Sequence, residues 1–194
     1  MKWLFFTYSM PAEPSKYRVY VWRRLKKLGA VNFHSAWVIP HSSSRIDELK
    51  MLAEEVTKFT GESLLIEGKT LDEAQEEAIL KLFTESRDEE YRELIEKCED
   101  YFKEIAFEIE RENFIFAEVE ENEEELEKLD QWLKKIEKRD VVEAPLHKEA
   151  VEKLNTCEKM FEDFAKTVYL HIHHKDKADQ PSEKPKKRSP KVRT

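Results

Sequence analysis

The chain has 194 residues, of which 40% are hydrophobic and 39% charged, and its formal net charge at pH 7 is −8. A chain of this length can bury a core of its own, which excludes the class of small proteins that depend on disulfides or structural metals. The composition is typical of a soluble protein with one domain, or with one domain and a helical extension.

The charge is distributed unevenly along the chain. Residues 1–60 have a balance of +5, residues 61–170 a balance of −18, and residues 171–194 a balance of +5. The overall isoelectric point therefore indicates little about binding partners, which have to be inferred from local patches of charge.

The sequence contains no segment typical of a membrane protein. Its apolar run WLFF, Trp3–Phe6, is too short to span a bilayer, and no small-residue cleavage site follows it. We therefore expect no membrane partner, no signal peptide and a cytoplasmic location. Cys98 and Cys157 fall on apolar helical stripes, so we expect buried free thiols rather than a disulfide or a reactive site.

A helix between two strands rich in aromatic residues is predicted near the N-terminus. The strands are Lys2–Met10 and Val31–Ile39. Ser15 is a predicted N-cap and Gly29 a predicted stop, so the helix should run from about Lys16 to Leu28. At 100° per residue, an apolar stripe lies opposite the positive charge of Lys16, Arg23 and Lys27. The members of that stripe are Tyr17, Val21, Leu25 and Leu28, with Trp22 at its edge.

A second helix and a further strand complete a predicted α+β head over residues 1–68. The helix follows Pro40, with a capping box at Ser44-x-x-Asp47, and Gly61 stops it. The strand is Glu62–Glu67. If Asn32–Trp37 kinks into two paired strands, the order is βαββαβ, the ferredoxin-like arrangement. Without the kink it is βαβαβ with three strands, and no Asn-Gly or Asp-Gly turn decides between them.

The remainder is predicted to be a helical extension over residues 69–174. Capping boxes at Thr70-x-x-Glu73 and Ser86-x-x-Glu89 predict two helices, Leu71–Glu85 and Arg87 to about Glu112. Heptad-like patterns continue beyond them and favour an antiparallel bundle or hairpin. Residues 175–194 are basic, contain three prolines and are predicted to be disordered.

Several of these segments resemble a known family, the N-terminal domain of the bacterial chromate-resistance protein ChrB. The resemblance covers roughly Trp3 to Tyr169 and is carried by YSMP, YRVYVWRRLKKLGAV, SAWVIP, KLFTESRDEEYREL and LKKIEKRD. Its most specific residues are Arg18, Trp22, Arg23, Leu25, Gly29 and Ala30. The resemblance implies a ferredoxin-like head and a cytoplasmic regulator, because ChrB-like proteins are associated with the control of chromate-efflux operons. It covers the N-terminal domain alone, so a separate protein could supply a second domain.

The opening is also distantly similar to the ferredoxin-like domains of phenylacetate-type repressors and of the small CRISPR integration nucleases. Those nucleases use a carboxylate at the end of the first strand, where this chain reads Thr7-Tyr8-Ser9-Met10. Nuclease chemistry is therefore not expected.

No motif predicts an enzyme. The chain has only three glycines and lacks the motifs of phosphate-cradling loops, nucleophile elbows and zinc peptidases. His171, His173 and His174 have no further ligand at metal spacing. The glutamates of residues 120–125 are better explained as a solvated face. We expect no catalytic residue, no metal site and no cofactor.

The remaining candidate site is the basic cluster of the first helix. It consists of Lys16, Arg18, Arg23, Arg24, Lys26 and Lys27. Guanidinium and ammonium groups on one helix suit the phosphates of double-stranded DNA. Alternatively the cluster is a solvated face partly neutralised by the acidic helices, with Arg18 stacked on Trp22.

Two functions remain open. One is a transcriptional regulator that contacts DNA phosphates through the first helix. The other is a non-catalytic accessory module that docks a protein partner, or a second copy, through its helical bundle.

Overall fold

The predicted α+β class is confirmed by a computed structural model, which describes residues 1–178. The head contains β1 (Trp3–Ser9), α1 (Ser15–Lys27), β2 (Val31–Phe33), β3 (Ala36–Pro40), α2 (Ser43–Lys58) and β4 (Glu62–Gly68). Three long helices follow: α3 (Glu73–Glu110), α4 (Phe116–Glu137) and α5 (His147–Ala178). We call residues 1–68 the head and α3–α5 the bundle.

The sheet of the head has four antiparallel strands in the order β2-β3-β1-β4. Phe5 of β1 lies opposite Val38 on one side and Ile66 on the other. The βαββαβ alternative is therefore the right one, and the head is ferredoxin-like. The turn between β2 and β3 escaped the sequence pattern because His34, rather than glycine, occupies the left-handed region with a φ of 57°.

Helices pack on both faces of the sheet, although Leu64 and Ile66 of β4 remain 56% and 47% exposed. Leu4 and Phe6 face α1 and α2, where they join Val21, Leu25 and Leu49 in one core. On the opposite face, Trp3, Val31 and Val38 pack against the first turns of α3. The rings of Trp3 and Phe83 stack there with centroids 5.6 Å apart. The start of the bundle is thus held on the sheet, and the division into domains at residue 68 stays a prediction.

Several predicted helix caps are wrong by one or two residues. Ser15 is already helical, and Pro14 precedes it as an N-cap without a side-chain hydrogen bond. The cap of α2 is Ser42, whose Oγ accepts from the Arg45 N–H at 3.3 Å. The cap of α3 is Asp72, whose carboxylate accepts from the Ala74 N–H at 2.8 Å. Ser42 and Asp72 both have an oxygen-bearing side chain, and each lies two residues from the first residue of the predicted capping box. Pro14 has no such side chain.

The second predicted capping box, at Ser86, does not begin a helix at all. α3 is continuous from Glu73 to Glu110, and Ser86 lies inside it. The apolar stripe continues through this point, since Phe83 and Tyr91 are both fully buried in the same helix. Burial on both sides of Ser86 outweighs a local capping signal.

The bundle encloses its own core. α3 runs antiparallel to α4, because Tyr91 lies by Asp140 whereas Tyr101 lies by Asn122. Cys98 and Cys157 are buried free thiols, as predicted, with the Cys157 Sγ 3.8 Å from the Cys98 carbonyl oxygen. The neighbouring Cys98 thiol and burial raise the pKa of Cys157, so it stays protonated. α5 continues to Ala178, four residues beyond the predicted boundary at 174. The rest of the predicted disordered tail, 179–194, lies outside the described residues.

We expect Gly61→Ala to lower the free energy of unfolding by about 1–3 kcal/mol. A Cβ at Gly61 would lie 2.7 Å from the Ser9 carbonyl oxygen and 2.9 Å from the Val56 Cγ1. Urea denaturation measures the change. Gly68→Ala is the control, since its nearest neighbour would be 3.9 Å away. Equal midpoints for the parent protein and Gly61→Ala would contradict the close packing of β1 on this turn.

Candidate nucleic-acid interface

The six basic residues predicted to bind nucleic acid do not form one surface. Five of the six side chains are exposed, whereas Arg24 is half-buried. The six side chains lie in four different environments, which differ in how accessible each positive charge is to a phosphate group.

Two members have local partners on or next to α1. The Arg18 guanidinium donates to the Ala12 carbonyl oxygen at 2.8 Å, across the turn before the helix. The expected stack of Arg18 on Trp22 is not found among the cation–π contacts of the described residues. The cation–π contact on α1 is instead that of the Lys16 ammonium group, which lies 5.1 Å from the centroid of the Tyr17 ring. Arg18 therefore holds the turn, while Lys16 remains exposed above its ring.

Lys26 lies near negative charge. It borders a shallow depression whose far wall is α3, with Glu85 and Glu89 in that wall. The solvated, partly neutralised alternative describes this residue best.

The remaining free charge on α1 faces solvent, on a surface that we call the outer face: Lys16, Val19, Tyr20 and Arg23. It lies opposite Val21 and Leu25, the fully buried residues of the helix. Val19 and Tyr20 are 43% and 39% exposed, so two cations are interleaved with two apolar side chains. The Tyr20 hydroxyl donates to Glu55 Oε1 at 3.1 Å. Residual burial and this carboxylate raise the pKa of Tyr20, which keeps it a donor at neutral pH.

Arg24 and Lys27 belong to a different feature, a pocket of about 560 Å³ between the end of α1, the start of α2 and the end of α4. We call it the seam pocket. Its cationic residues are Arg24, Lys27, Arg45, Lys138 and Arg139. The last three were missed by the sequence reasoning, although Lys138 and Arg139 stand in the LKKIEKRD segment that carries the family resemblance.

The end of α4 is held against the head by close packing at Gly29. Gly29 has a φ of 80°, which a residue with a side chain rarely adopts, and a Cβ on it would lie 3.0 Å from the Arg139 Cβ. The stem of Arg139 therefore occupies the space next to the turn that ends α1. This contact places the charged ends of α1 and α4 side by side.

A chain of ion pairs fixes the Arg139 guanidinium from the other side. Glu90 pairs with the Arg139 Nη2 through one carboxylate oxygen, and with the Arg87 Nη2 at 2.8 Å through the other. Arg87 is completely buried, and burial lowers its pKa while Glu90 opposes that shift. Glu90 is thus a shared counterion for two arginines.

Asp140 shapes the connection that follows Arg139. Its carboxylate accepts from the N–H groups of Val142 and Ala144 at 3.1 and 3.0 Å. It also accepts from the Tyr91 hydroxyl at 3.2 Å. Burial and this carboxylate raise the pKa of Tyr91 far above its usual range, so the hydroxyl remains a donor. The turn that directly follows Arg139, a lining residue of the seam pocket, is therefore held by hydrogen bonds.

The family model described as "Protein ChrB, N-terminal" matches residues 18–175. The chain belongs to this family. The ChrB N-terminal match begins at Arg18 inside α1 and covers all the cationic residues of the seam pocket. Membership makes this a chromate-resistance-associated protein. The comparisons with curated proteins and with solved structures found no match to this chain.

Three histidines, His41, His171 and His173, each lie beside a single partner. His41 Nε2 lies 3.1 Å from Glu67 Oε2. The rings of His171 and Phe114 lie 5.2 Å apart, and those of His173 and Tyr169 4.1 Å apart. Among the side chains that the structure describes, those of residues 1–173, no group of three or more His, Cys, Asp or Glu is placed to hold a metal ion. Over residues 1–178, no helix has the length and apolarity needed to cross a bilayer.

Proposed function

We propose that the protein is a non-catalytic regulator in chromate resistance, which acts in the cytoplasm and contacts DNA phosphates through the outer face of α1. Family membership supports the link to chromate resistance. The observation that carries the DNA contact is that Lys16 and Arg23 are exposed and form no ion pair within the described residues. Their charge is therefore available to a polyanion without breaking an ion pair of the fold.

The chemistry of the outer face suits the DNA backbone rather than base edges. A guanidinium fork can donate two hydrogen bonds to one phosphate, and an ammonium group supplies a point charge. Such contacts position a protein on DNA and depend strongly on salt. The acidic bundle must face away from the duplex for this to work, because its charge opposes the approach.

We expect the protein to bind duplex DNA taken from upstream of its own operon, with an affinity that falls steeply as salt rises. Each phosphate contact contributes roughly −0.9 to the slope of log affinity against log salt. Two contacts from the outer face predict a slope of about −1.8 or steeper. Fluorescence anisotropy over a sodium chloride series measures it. Absence of salt-sensitive binding to any duplex would favour the second candidate below.

A second candidate, docking of a protein partner on the bundle, is favoured by an apolar groove between α4 and α5. The groove has a volume of about 270 Å³, and its lining includes Phe116, Val119, Val168 and Tyr169. Phe116 and Tyr169 are 63% and 62% exposed, which is unusual for adjacent large apolar side chains. Sedimentation of the parent protein against Phe116→Glu tests whether the partner is a second copy.

A further inference from the structure

The seam pocket collects more positive charge than its own residues neutralise. Of its lining residues, five are cationic and one, Glu48, is a carboxylate. Among the described side chains, those of residues 1–173, Arg139 pairs with Glu90, whereas Arg24, Lys27, Arg45 and Lys138 form no ion pair. Like charges gathered from separate elements repel one another, so the fold carries an electrostatic penalty here that an anion would remove.

The start of α2 adds to this imbalance. A helix start favours negative charge and leaves main-chain N–H groups without intrahelical acceptors. The first turn of α2 contains no acidic residue, and it carries Arg45 instead. The Arg45 guanidinium donates to the Pro40 carbonyl oxygen at 3.2 Å, which holds it in place beside the pocket. Burial lowers the pKa of Arg45, and the carboxylate of Glu48 opposes this shift only in part.

Donors in the pocket also outnumber acceptors. Ser42 and Ser44 bring hydroxyl groups to the lining, next to the cationic side chains. The Nε atoms of Arg24 and Arg139 are enclosed and have no hydrogen-bond partner within the described part of the chain. Because these Nε atoms are shielded from solvent, a ligand in the pocket would meet the outer guanidinium nitrogens, the ammonium groups and the serine hydroxyls of the lining, against a single carboxylate.

We propose that the seam pocket binds a tetrahedral dianion, either a free oxyanion such as sulfate or the terminal phosphate of a small phosphate ester. Arginine forks and serine hydroxyls match the geometry of such an anion, and Lys27 and Lys138 supply exposed point charges at the rim. A volume of about 560 Å³ exceeds a bare oxyanion and leaves room for water or for the organic part of an ester. The pocket is separate from the outer face, and its binding does not depend on DNA contact.

Because the walls come from both the head and the bundle, a bound dianion should raise the melting temperature of the whole chain. A ligand that binds the folded state alone stabilises it in proportion to the logarithm of its concentration. We would measure melting by circular dichroism in sodium sulfate, sodium phosphate and adenosine monophosphate, each compared with sodium chloride at equal ionic strength. Sulfate and phosphate also stabilise proteins in general, because they are excluded from protein surfaces. Stabilisation by both salts that is lost in the pocket variants below therefore assigns a free oxyanion, and a larger effect of adenosine monophosphate assigns a phosphate ester. A further melting series in sodium chromate, which rests on the proposed function, tests whether the pocket prefers one oxyanion over another.

Variants locate the effect. Arg45→Gln together with Lys138→Gln should weaken the dianion affinity, measured by calorimetric titration, by about tenfold or more. Lys50→Gln with Lys135→Gln is the matched control, since it removes the same charge from the same two helices outside the pocket. Lys138→Gln alone changes an exposed side chain and retains the fold, so a weaker loss in that variant supports the proposal independently.

Three results would overturn the proposal. They are no stabilisation beyond chloride, unchanged affinity in the double variant, and an equal loss in the control. If the double variant instead loses duplex DNA affinity while the parent protein shows no dianion effect, the pocket receives a backbone phosphate and the free-ligand proposal is wrong. Loss of DNA binding by outer-face variants with dianion binding intact leaves this proposal standing.

Discussion

Replacing Glu90 by glutamine is expected to lower the free energy of unfolding by about 3 kcal/mol. Glu90 is the shared counterion of Arg87, which is fully buried, and of Arg139. The amide retains the shape but removes the charge, so two guanidinium groups are left close together without a paired carboxylate, although the charge of Asp140 still acts on Arg87. Breaking a buried ion pair at one partner typically costs about 3–5 kcal/mol, and the 26% exposure of Glu90 places this case at the lower end.

The measurement is chemical denaturation, with Glu93→Gln as the control on the same helix. Glu93 is exposed, so its neutralisation should change stability by less than about 0.5 kcal/mol. Arg87→Met removes the buried charge itself and should cost less than Glu90→Gln. The double variant, Arg87→Met with Glu90→Gln, should lose less free energy of unfolding than the two single variants lose together. If its loss equals their sum, the two residues are not coupled and this account of the network fails.

The sequence predicted the head well because each of its elements is defined by local physics. An alternation with a period of two residues indicates the two aromatic strands, and a period of 3.6 residues indicates the amphipathic α1. Gly29 is the typical left-handed residue at the end of a helix. The fourth strand could not be decided, since its turn depends on His34 in a conformation that histidine only occasionally adopts. The same limit applies at Ser86, where a capping motif lies inside a helix because the buried stripe continues through it.

The candidate site was less predictable, because it is built by residues far apart in the chain. Helical periodicity placed Lys16 and Arg23 opposite the core, which the burial of Val21 and Leu25 confirms. It could not show that Arg24 would meet Arg45, Lys138 and Arg139, since that encounter depends on how α4 docks on the turn at Gly29. Nor could it reveal that Arg87, within a charged segment, would be fully buried. DNA contact by the six basic residues stays a prediction.

Reversing the charge of Lys16 and Arg23 together, to glutamate, is expected to reduce duplex DNA affinity by about a hundredfold or more. Two charge-assisted contacts are worth roughly 3 kcal/mol or more between them, which corresponds to that factor. Lys27 is left unchanged because it lines the seam pocket, so the variant tests the outer face alone. Both positions are exposed, and circular dichroism should show an unaltered fold. Fluorescence anisotropy measures the affinity.

The decisive comparison is with Lys103→Glu and Lys148→Glu, which change the net charge by the same amount on the bundle. These two side chains are 76% and 87% exposed and belong to α3 and α5. If DNA binding depends on where the positive charge lies, this control should retain most of its affinity and its salt slope. The outer-face variant should have a slope less negative by about 1.8, because two phosphate contacts are lost. Equal losses in both variants would mean that net charge alone governs binding, and an unchanged affinity in the outer-face variant would show that α1 does not contact DNA.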